Sequence, residues 1–293
     1  MVLFTIVIPA YNRAKIIGQT INSVLEQTHF RFELIIVDDG STDHTAEVVH
    51  PYLKDNRVRY YKIINSERGA ARNFGVKQSK GEYVTFLDSD DILFPWHFRI
   101  AAEKILEANS PKIFHLAYEV LHLNGKVISP PLLPSPVNDK LIEGNFLSCL
   151  GVFLRRDIAL DNPFDEDRQL SGSEDYELWM RLASRVPILA YPEITSKLIQ
   201  HDDRSVMNTD IKKLSTRIYL LEDRLQHDKF FMERFNNRWL EFRSYNALYL
   251  ALHLAIAGER LLALKKLFYV VKQNAKVIFM YRFAVVLKKI ILW

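Results

Sequence analysis

The sequence predicts an α/β fold, with a mainly parallel central sheet wrapped by helices and a C-terminal helical region after it. Three observations carry this reading. Strand-like runs alternate with helical patterns through the first third of the chain. Polar clusters sit at the ends of those runs, where the loops of an open parallel sheet form a crevice. From about residue 209 to the end the pattern is helical almost throughout.

The runs at 3–9, 33–38, 57–63 and 82–87 contain Val, Ile, Phe and Tyr, side chains that suit a buried pleated surface. Helices are expected between them near 14–27, 43–53 and 69–79. In the first, Ile17, Ile21, Val24 and Leu25 recur at helical spacing; the second follows the capping cluster Ser41-Thr42-Asp43; the third carries Ala70, Ala71, Phe74 and Val76. From 111 to 172 the pattern weakens. Pro130, Pro131, Pro134 and Pro136 lack the N–H groups a regular element needs, so an exposed loop is expected over 129–136. A helix resumes over 174–184 with Leu178, Trp179 and Leu182 on one face, and Leu214, Ile218, Leu221 and Leu225 are later spaced three and four apart. The chain divides on this reading into 1–208 and 209–293.

With 293 residues, 48% of them apolar and 25% charged, the chain can bury a substantial core and is unlike a disordered or collagen-like protein. Cys149 is the single cysteine, which excludes an intramolecular disulfide and a cysteine-built zinc site and fits a reducing compartment. Beside Phe146, Leu147 and Leu150 it reads as a small core residue. The start, Met1 to Pro9, lacks the basic residues of a signal peptide and reads as a buried strand. No run approaches the roughly 18–20 uncharged apolar residues that a spanning helix requires. The net charge of +4 is unevenly placed: Lys265, Lys266, Lys272, Lys276, Arg282, Lys288 and Lys289 lie in 261–293 with no acid among them, and without those seven cations +4 becomes −3.

The strand ends hold the chemistry. The first leads into Pro9-Ala10-Tyr11-Asn12-Arg13, the second into Asp38-Asp39-Gly40-Ser41, and the fourth into Asp88-Ser89-Asp90-Asp91. Neighbouring carboxylates repel one another unless a divalent cation or ligand donors hold them, and oxygen ligands favour Mg²⁺ or Mn²⁺ completed by phosphate oxygens. Alone, Asp-x-Asp is more often an exposed turn, but here it follows the buried run Tyr83 to Leu87. The loop after the first strand has neither G-x-G-x-x-G nor G-x-x-x-x-G-K-[ST], which argues against dinucleotide redox chemistry and P-loop hydrolysis.

These residues resemble glycosyltransferase family 2. The resemblance rests on Val7 to Asn12, Phe32 to Asp43, Gly69 to Gly75 and Gly81 to Asp91, four ordered blocks, with weaker echoes at Ser173-Glu174-Asp175 and His201. It implies the A-type glycosyltransferase fold and an inverting transfer from a nucleoside-diphosphate sugar, most often a UDP-sugar, to an acceptor hydroxyl with Mn²⁺ or Mg²⁺ as cofactor. By position, Pro9 and Tyr11 would line the base pocket and Asp39 would accept from the base, with Asp38 beside it among the substrate-binding residues. Arg72 would lie near the diphosphate or base, Asp88 would meet the ribose, and Asp90 and His201 would hold the metal.

In an inverting displacement the general base stands across the pocket from the leaving diphosphate, on a separate segment from Asp88 and Asp90. Ser173-Glu174-Asp175 opens an amphipathic helix, where acids are ordinarily caps; the family places its base at this Asp, so Asp175 is expected as the base and Glu174 as a supporting or acceptor-contacting residue. A sugar nucleotidyltransferase would need a glycine-rich basic loop where Pro9-Ala10-Tyr11-Asn12 stands, and a non-catalytic nucleotide-sugar scaffold would have no need of so many adjacent acids. The expected partners are a nucleotide-sugar and a carbohydrate or lipid-linked acceptor, as in cell-surface polysaccharide or glycolipid synthesis, and not nucleic acid. In the tail, Leu261, Leu262, Leu264, Leu267, Phe268 and Val271 form an apolar face flanked by lysines. Two readings stand side by side for it: peripheral contact with the anionic inner face of the cell membrane by a cytoplasmic protein, or helices packed on the catalytic domain.

Overall fold

The computed structural model describes residues 1–200 and 210–292. Strands β1 (Phe4–Ala10) and β2 (Phe32–Asp38) are buried along their whole length. Successive side chains of a strand point to opposite faces, so a sheet covered on both sides needs near-continuous apolar runs. Accordingly Phe4, Ile6, Ile8, Leu34 and Ile36 enter one core, and Val7, Ile35 and Val37 enter the other. Strands β3 (Val58–Lys62) and β4 (Tyr83–Phe86) flank this pair in parallel. The connections are α1 (Ile17–Leu25), α2 (Thr45–Val49) and α3 (Glu67–Gln78), which match the expected elements with shifted ends. Helix α3 lies so close to β1 that a Cβ on Gly75 would stand 2.3 Å from Cγ1 of Val7.

The stretch from 111 to 172 is more regular than expected. After the short β5 (Ile92–Leu93) and α4 (His97–Glu107), the chain forms β6 (Ile113–Leu121), β7 (Val127–Ile128), β8 (Val152–Arg155) and α5 (Arg156–Asp161). The expected exposed loop over 129–136 is irregular. Helix α6 (Glu174–Arg185) and β9 (Leu189–Ile199) complete the sheet, whose order is β3-β2-β1-β4-β8-β6-β9-β5, with β7 paired to β6. Strand β8 runs antiparallel to β4 and β6, whereas the longest ladders, β1–β2 and β6–β9, are parallel.

The C-terminal helices are α7 (Ile211–His227), α8 (Lys229–Phe235), α9 (Trp239–Ile256), α10 (Arg260–Gln273) and α11 (Tyr281–Leu292). Leu221, Leu225, Phe231, Phe235 and Phe242 join the same core as Trp179 of α6, while α9, α10 and α11, with Leu214 of α7, build a third core. The expected single apolar face of the tail is thereby corrected. Leu267 is buried in the third core and Leu264 and Val271 pack on it, whereas Leu261, Leu262 and Phe268 are exposed. No helix among the described residues is long and apolar enough to cross a membrane.

Candidate active site

The carboxyl ends of β1, β2 and β4 open on a cavity of about 790 Å³, within the size range of small-molecule sites. Asn12 ties the first two loops together. Its φ of 52° turns the chain after β1, its amide oxygen accepts from the backbone N–H groups of Thr42 and Asp43, and its own N–H donates to Ser41 Oγ. This leaves Pro9, Ala10 and Tyr11 on the cavity wall, with the Tyr11 ring half exposed.

The paired acids at the end of β2 separate in role. Asp38 is fully buried and away from the cavity; its oxygens accept from the Ser41 N–H at 2.6 Å and from the Tyr60 hydroxyl at 2.5 Å. The expectation that it binds substrate is corrected: on a strand the next side chain points to the opposite face, so only one of the two acids faces the cavity. That one is Asp39. It accepts from the N–H groups of Ser66 and Glu67 at 2.7 and 2.9 Å, and burial raises its pKa above the usual carboxylate value despite those bonds.

Arg72 organises the centre. It is almost fully buried on α3 and donates through Nη2 to Asp88 at 2.7 Å and through Nη1 to Glu174 at 2.8 Å. One guanidinium fork thus joins two loops 86 residues apart in sequence. Each terminal nitrogen thus bonds one acid, and Arg72 positions both carboxylates at the cavity. Beyond Asp88, carboxylate oxygens of Asp88, Asp90 and Asp91 lie within 4.8 Å of one another. Asp91 is buried and accepts from the Ile199 N–H at 2.9 Å, which fastens this loop to the end of β9. Hard oxygen donors clustered in this way fit Mg²⁺ or Mn²⁺.

Glu174, beside Asp88 on the Arg72 guanidinium, and Asp175 line the same cavity. Burial opposes charge on Glu174, but Arg68 and Arg72 outweigh it and hold its pKa below the usual value. Asp175 is half-buried; burial and the Glu174 charge beside it push its pKa up to about 6. Its oxygens accept from Asn145 Nδ2 at 3.0 Å and from the Tyr176 N–H at 2.7 Å. Pro9, Tyr11, Asp39, Arg72, Asp88, Asp90, Glu174 and Asp175 therefore all line one cavity, whereas Asp38 does not. His201 lies outside the described residues.

Sequence reasoning missed Arg68, Asn145 and an entire wall built by Arg217, Asn246, Tyr249 and Arg282. Arg68 had a signal, its position one helical turn before Arg72. Asn145 and the helical wall had none, because only tertiary packing brings them to the cavity.

Comparison with known proteins accords with this arrangement. The model for Glycosyl transferase family 2 matches residues 5–111. A glycosyltransferase of Rickettsia bellii (strain RML369-C) is 33% identical over 209 residues, covering 70% of this chain and 30% of its own length. The Escherichia coli UDP-Glc:alpha-D-GlcNAc-diphosphoundecaprenol beta-1,3-glucosyltransferase WfgD is 33% identical over 187 residues, 61% of this chain and 69% of that protein. The chain spans only about a third of the length of the Rickettsia relatives. Among solved structures, S. aureus TarS 1-349 in complex with UDP-GlcNAc superposes with a TM-score of 0.67 at 20% identity, covering 96% of this chain and 89% of TarS 1-349, and so shares the fold. With these matches beside its α/β sheet and the loops at its strand ends, the chain belongs to glycosyltransferase family 2.

Proposed function

We propose that the protein transfers a sugar from a nucleoside-diphosphate sugar, in first place a UDP-sugar, to an acceptor hydroxyl with inversion at the anomeric carbon. The carrying observation is that Asp88, Asp90, Glu174 and Asp175, from two separate segments, line one cavity, with Arg72 bonded to both Asp88 and Glu174. The names of the relatives support the donor class: WfgD is named for UDP-Glc, and TarS binds UDP-GlcNAc. The diphosphoundecaprenol in the WfgD name supports a lipid-linked acceptor and a place in cell-surface glycan or glycolipid synthesis.

In this reading Tyr11 and Pro9 flank the base, Asp39 accepts from it, and Asp88 accepts from the ribose. Asp90, with Asp88 beside it, would hold Mn²⁺ or Mg²⁺, which when bound neutralises charge on the leaving diphosphate. The acceptor oxygen forms its bond to the anomeric carbon as the bond to the diphosphate oxygen breaks, and the hydroxyl proton passes to a carboxylate oxygen of Asp175. Asn145 fixes the orientation of that carboxylate, and Glu174, held charged by Arg72 and Arg68, raises its basicity. A raised pKa makes Asp175 a stronger base than an ordinary carboxylate while leaving it ionised at neutral pH.

The exposed Leu261, Leu262, Phe268 and Tyr269 of α10, with Phe279 and Tyr281 nearby in sequence, support peripheral contact with an anionic membrane, because exposed Lys265, Lys272, Lys276 and Lys288 lie among them. The function is tested by incubating the protein with a panel of nucleotide-sugars and Mn²⁺ and following release of the nucleoside diphosphate. Release from at least one UDP-sugar, abolished by chelation, is expected; binding of UDP without turnover of any donor would favour the non-catalytic scaffold instead.

A further inference from the structure

We infer that Arg217 and Arg282 form an anion-binding subsite that holds a phosphoryl group of the acceptor, so that the acceptor is a phosphate-bearing glycan rather than a neutral one. The inference rests on the proposed transfer reaction and names its second substrate. Both arginines line the cavity from the C-terminal side, Arg217 on α7 and Arg282 on α11. Arg72 on the sheet side is bonded to acids, and Arg68 stands 3.8 Å from Glu174. By contrast, neither Arg217 nor Arg282 pairs with a carboxylate among the described residues. Arg217 donates one long bond of 3.4 Å to the Ser171 carbonyl, and its Nε is buried with no hydrogen-bond partner. Arg282 only lies over the rings of Tyr245 and Tyr249, at 5.9 and 6.0 Å. A partly buried guanidinium left without an anion is costly, and two in one cavity call for an anionic ligand.

Their placement says which ligand. Arg217 Nη1 stands 2.2 Å from where a Cβ on Gly172 would be, and Arg282 Nη2 stands 2.7 Å from the corresponding point on Gly144. Gly172 has a φ of +90° and Gly144 of +149°, so each position favours glycine for its backbone and for the space the guanidinium takes. Gly172 leads directly into Ser173-Glu174-Asp175, and Gly144 precedes Asn145, the partner of Asp175. The two cations therefore abut the segments that carry the proposed base and its orienting amide, on the side where the acceptor hydroxyl must enter. Two planar donor forks from different helices match a diphosphate or phosphodiester, whose tetrahedral phosphoryl oxygens can be shared between two forks approaching from different directions.

The test offers a set of monosaccharides in three forms, as alkyl diphosphates, as phosphodiesters of glycerol and as neutral alkyl glycosides, to the full chain with its donor. The parent should prefer a phosphorylated form by tenfold or more in kcat/KM. The diphosphate and diester arms separate a lipid carrier from a phosphodiester polymer as the source of the group. Arg282→Gln and Arg217→Gln should raise KM for the phosphorylated acceptor at least tenfold, collapse its preference over the neutral form and keep UDP affinity by calorimetry, while Arg282→Lys recovers part of the preference. Should no donor turn over, calorimetry with inorganic phosphate on UDP-saturated and UDP-free protein still decides: the parent should bind phosphate and the double Gln variant should not. Equal use of charged and neutral acceptors, variants with unchanged preference, or equal phosphate binding by parent and variant would overturn the subsite. Absence of UDP binding by the parent would instead overturn the proposed reaction.

Discussion

Asp175 sits where burial and the Glu174 carboxylate both resist its ionisation, which is why its pKa rises to about 6. A base must be deprotonated to act, so kcat/KM should fall as pH drops through about 6, rather than near the ordinary carboxylate range. The limb should vanish in Asp175→Asn, whose residual rate should be lower by about 10²–10⁴ with UDP affinity nearly intact. A pH–rate profile of both proteins checks this, and near-normal kcat in the variant would pass the role to another acid. Asp90→Asn should weaken both Mn²⁺ and UDP binding with little loss of fold, measured by calorimetry; unchanged affinities would contradict the assignment. Arg72 carries a different burden. Its guanidinium pairs with Asp88 and Glu174 at once, so Arg72→Met should destabilise the protein by about 3–5 kcal/mol, read by denaturant unfolding. At this scale the sequence was informative where a motif placed an acid at a strand end, as with Asp39 and Asp88. It could not tell Asp38 from Asp39, because only the pleat decides which of two neighbours faces the cavity.

Elements were legible where both faces of a strand are buried and therefore uniformly apolar, as in β1 and β2. They were not where pairing is irregular or one end is half exposed. β6 is buried only over its first four residues and then runs Ala-Tyr-Glu-Val-Leu at partial exposure. β9 contains Pro192, which cannot donate to a ladder, and its register against β6 jumps from Tyr191 to Ile194, so Pro192 and Glu193 bulge out of the pairing. Such a strand has no clean period of two. The close seat of α3 on β1 depends on Gly75, and it is α3 that aims Arg68 and Arg72 at the cavity. Gly75→Ala should force the helix off the strand at a cost of about 1–3 kcal/mol and lower activity by displacing those arginines; full stability and activity in this variant would mean that the contact yields.

For the whole molecule, α7, α8 and the first turn of α9 are packed on the sheet body, since Leu221, Leu225, Phe231, Phe235 and Phe242 share a core with Trp179. Phe231→Ala should cost about 3–5 kcal/mol and leave a single unfolding transition, whereas two separated transitions would show that α7–α9 unfold apart from the sheet. The outer face of α10 and the basic tail should bring the protein to vesicles containing anionic lipid, with binding lost at moderate salt and weakened by Phe268→Ser; sedimentation with neither anionic nor neutral vesicles would leave the exposed side chains as ordinary surface. None of this packing was visible as sequence pattern, because helical periodicity marks an apolar face without naming what covers it. The central claim is that one cavity unites donor-holding acids with a base on a separate segment. It is tested most directly by transfer from a UDP-sugar to a hydroxyl acceptor, with the product's anomeric configuration read by NMR, for the parent and Asp175→Asn. Inverted product from the parent, and a rate lower by two orders of magnitude or more in a folded, UDP-binding variant, is the result predicted; retained configuration, or equal rates, would contradict it.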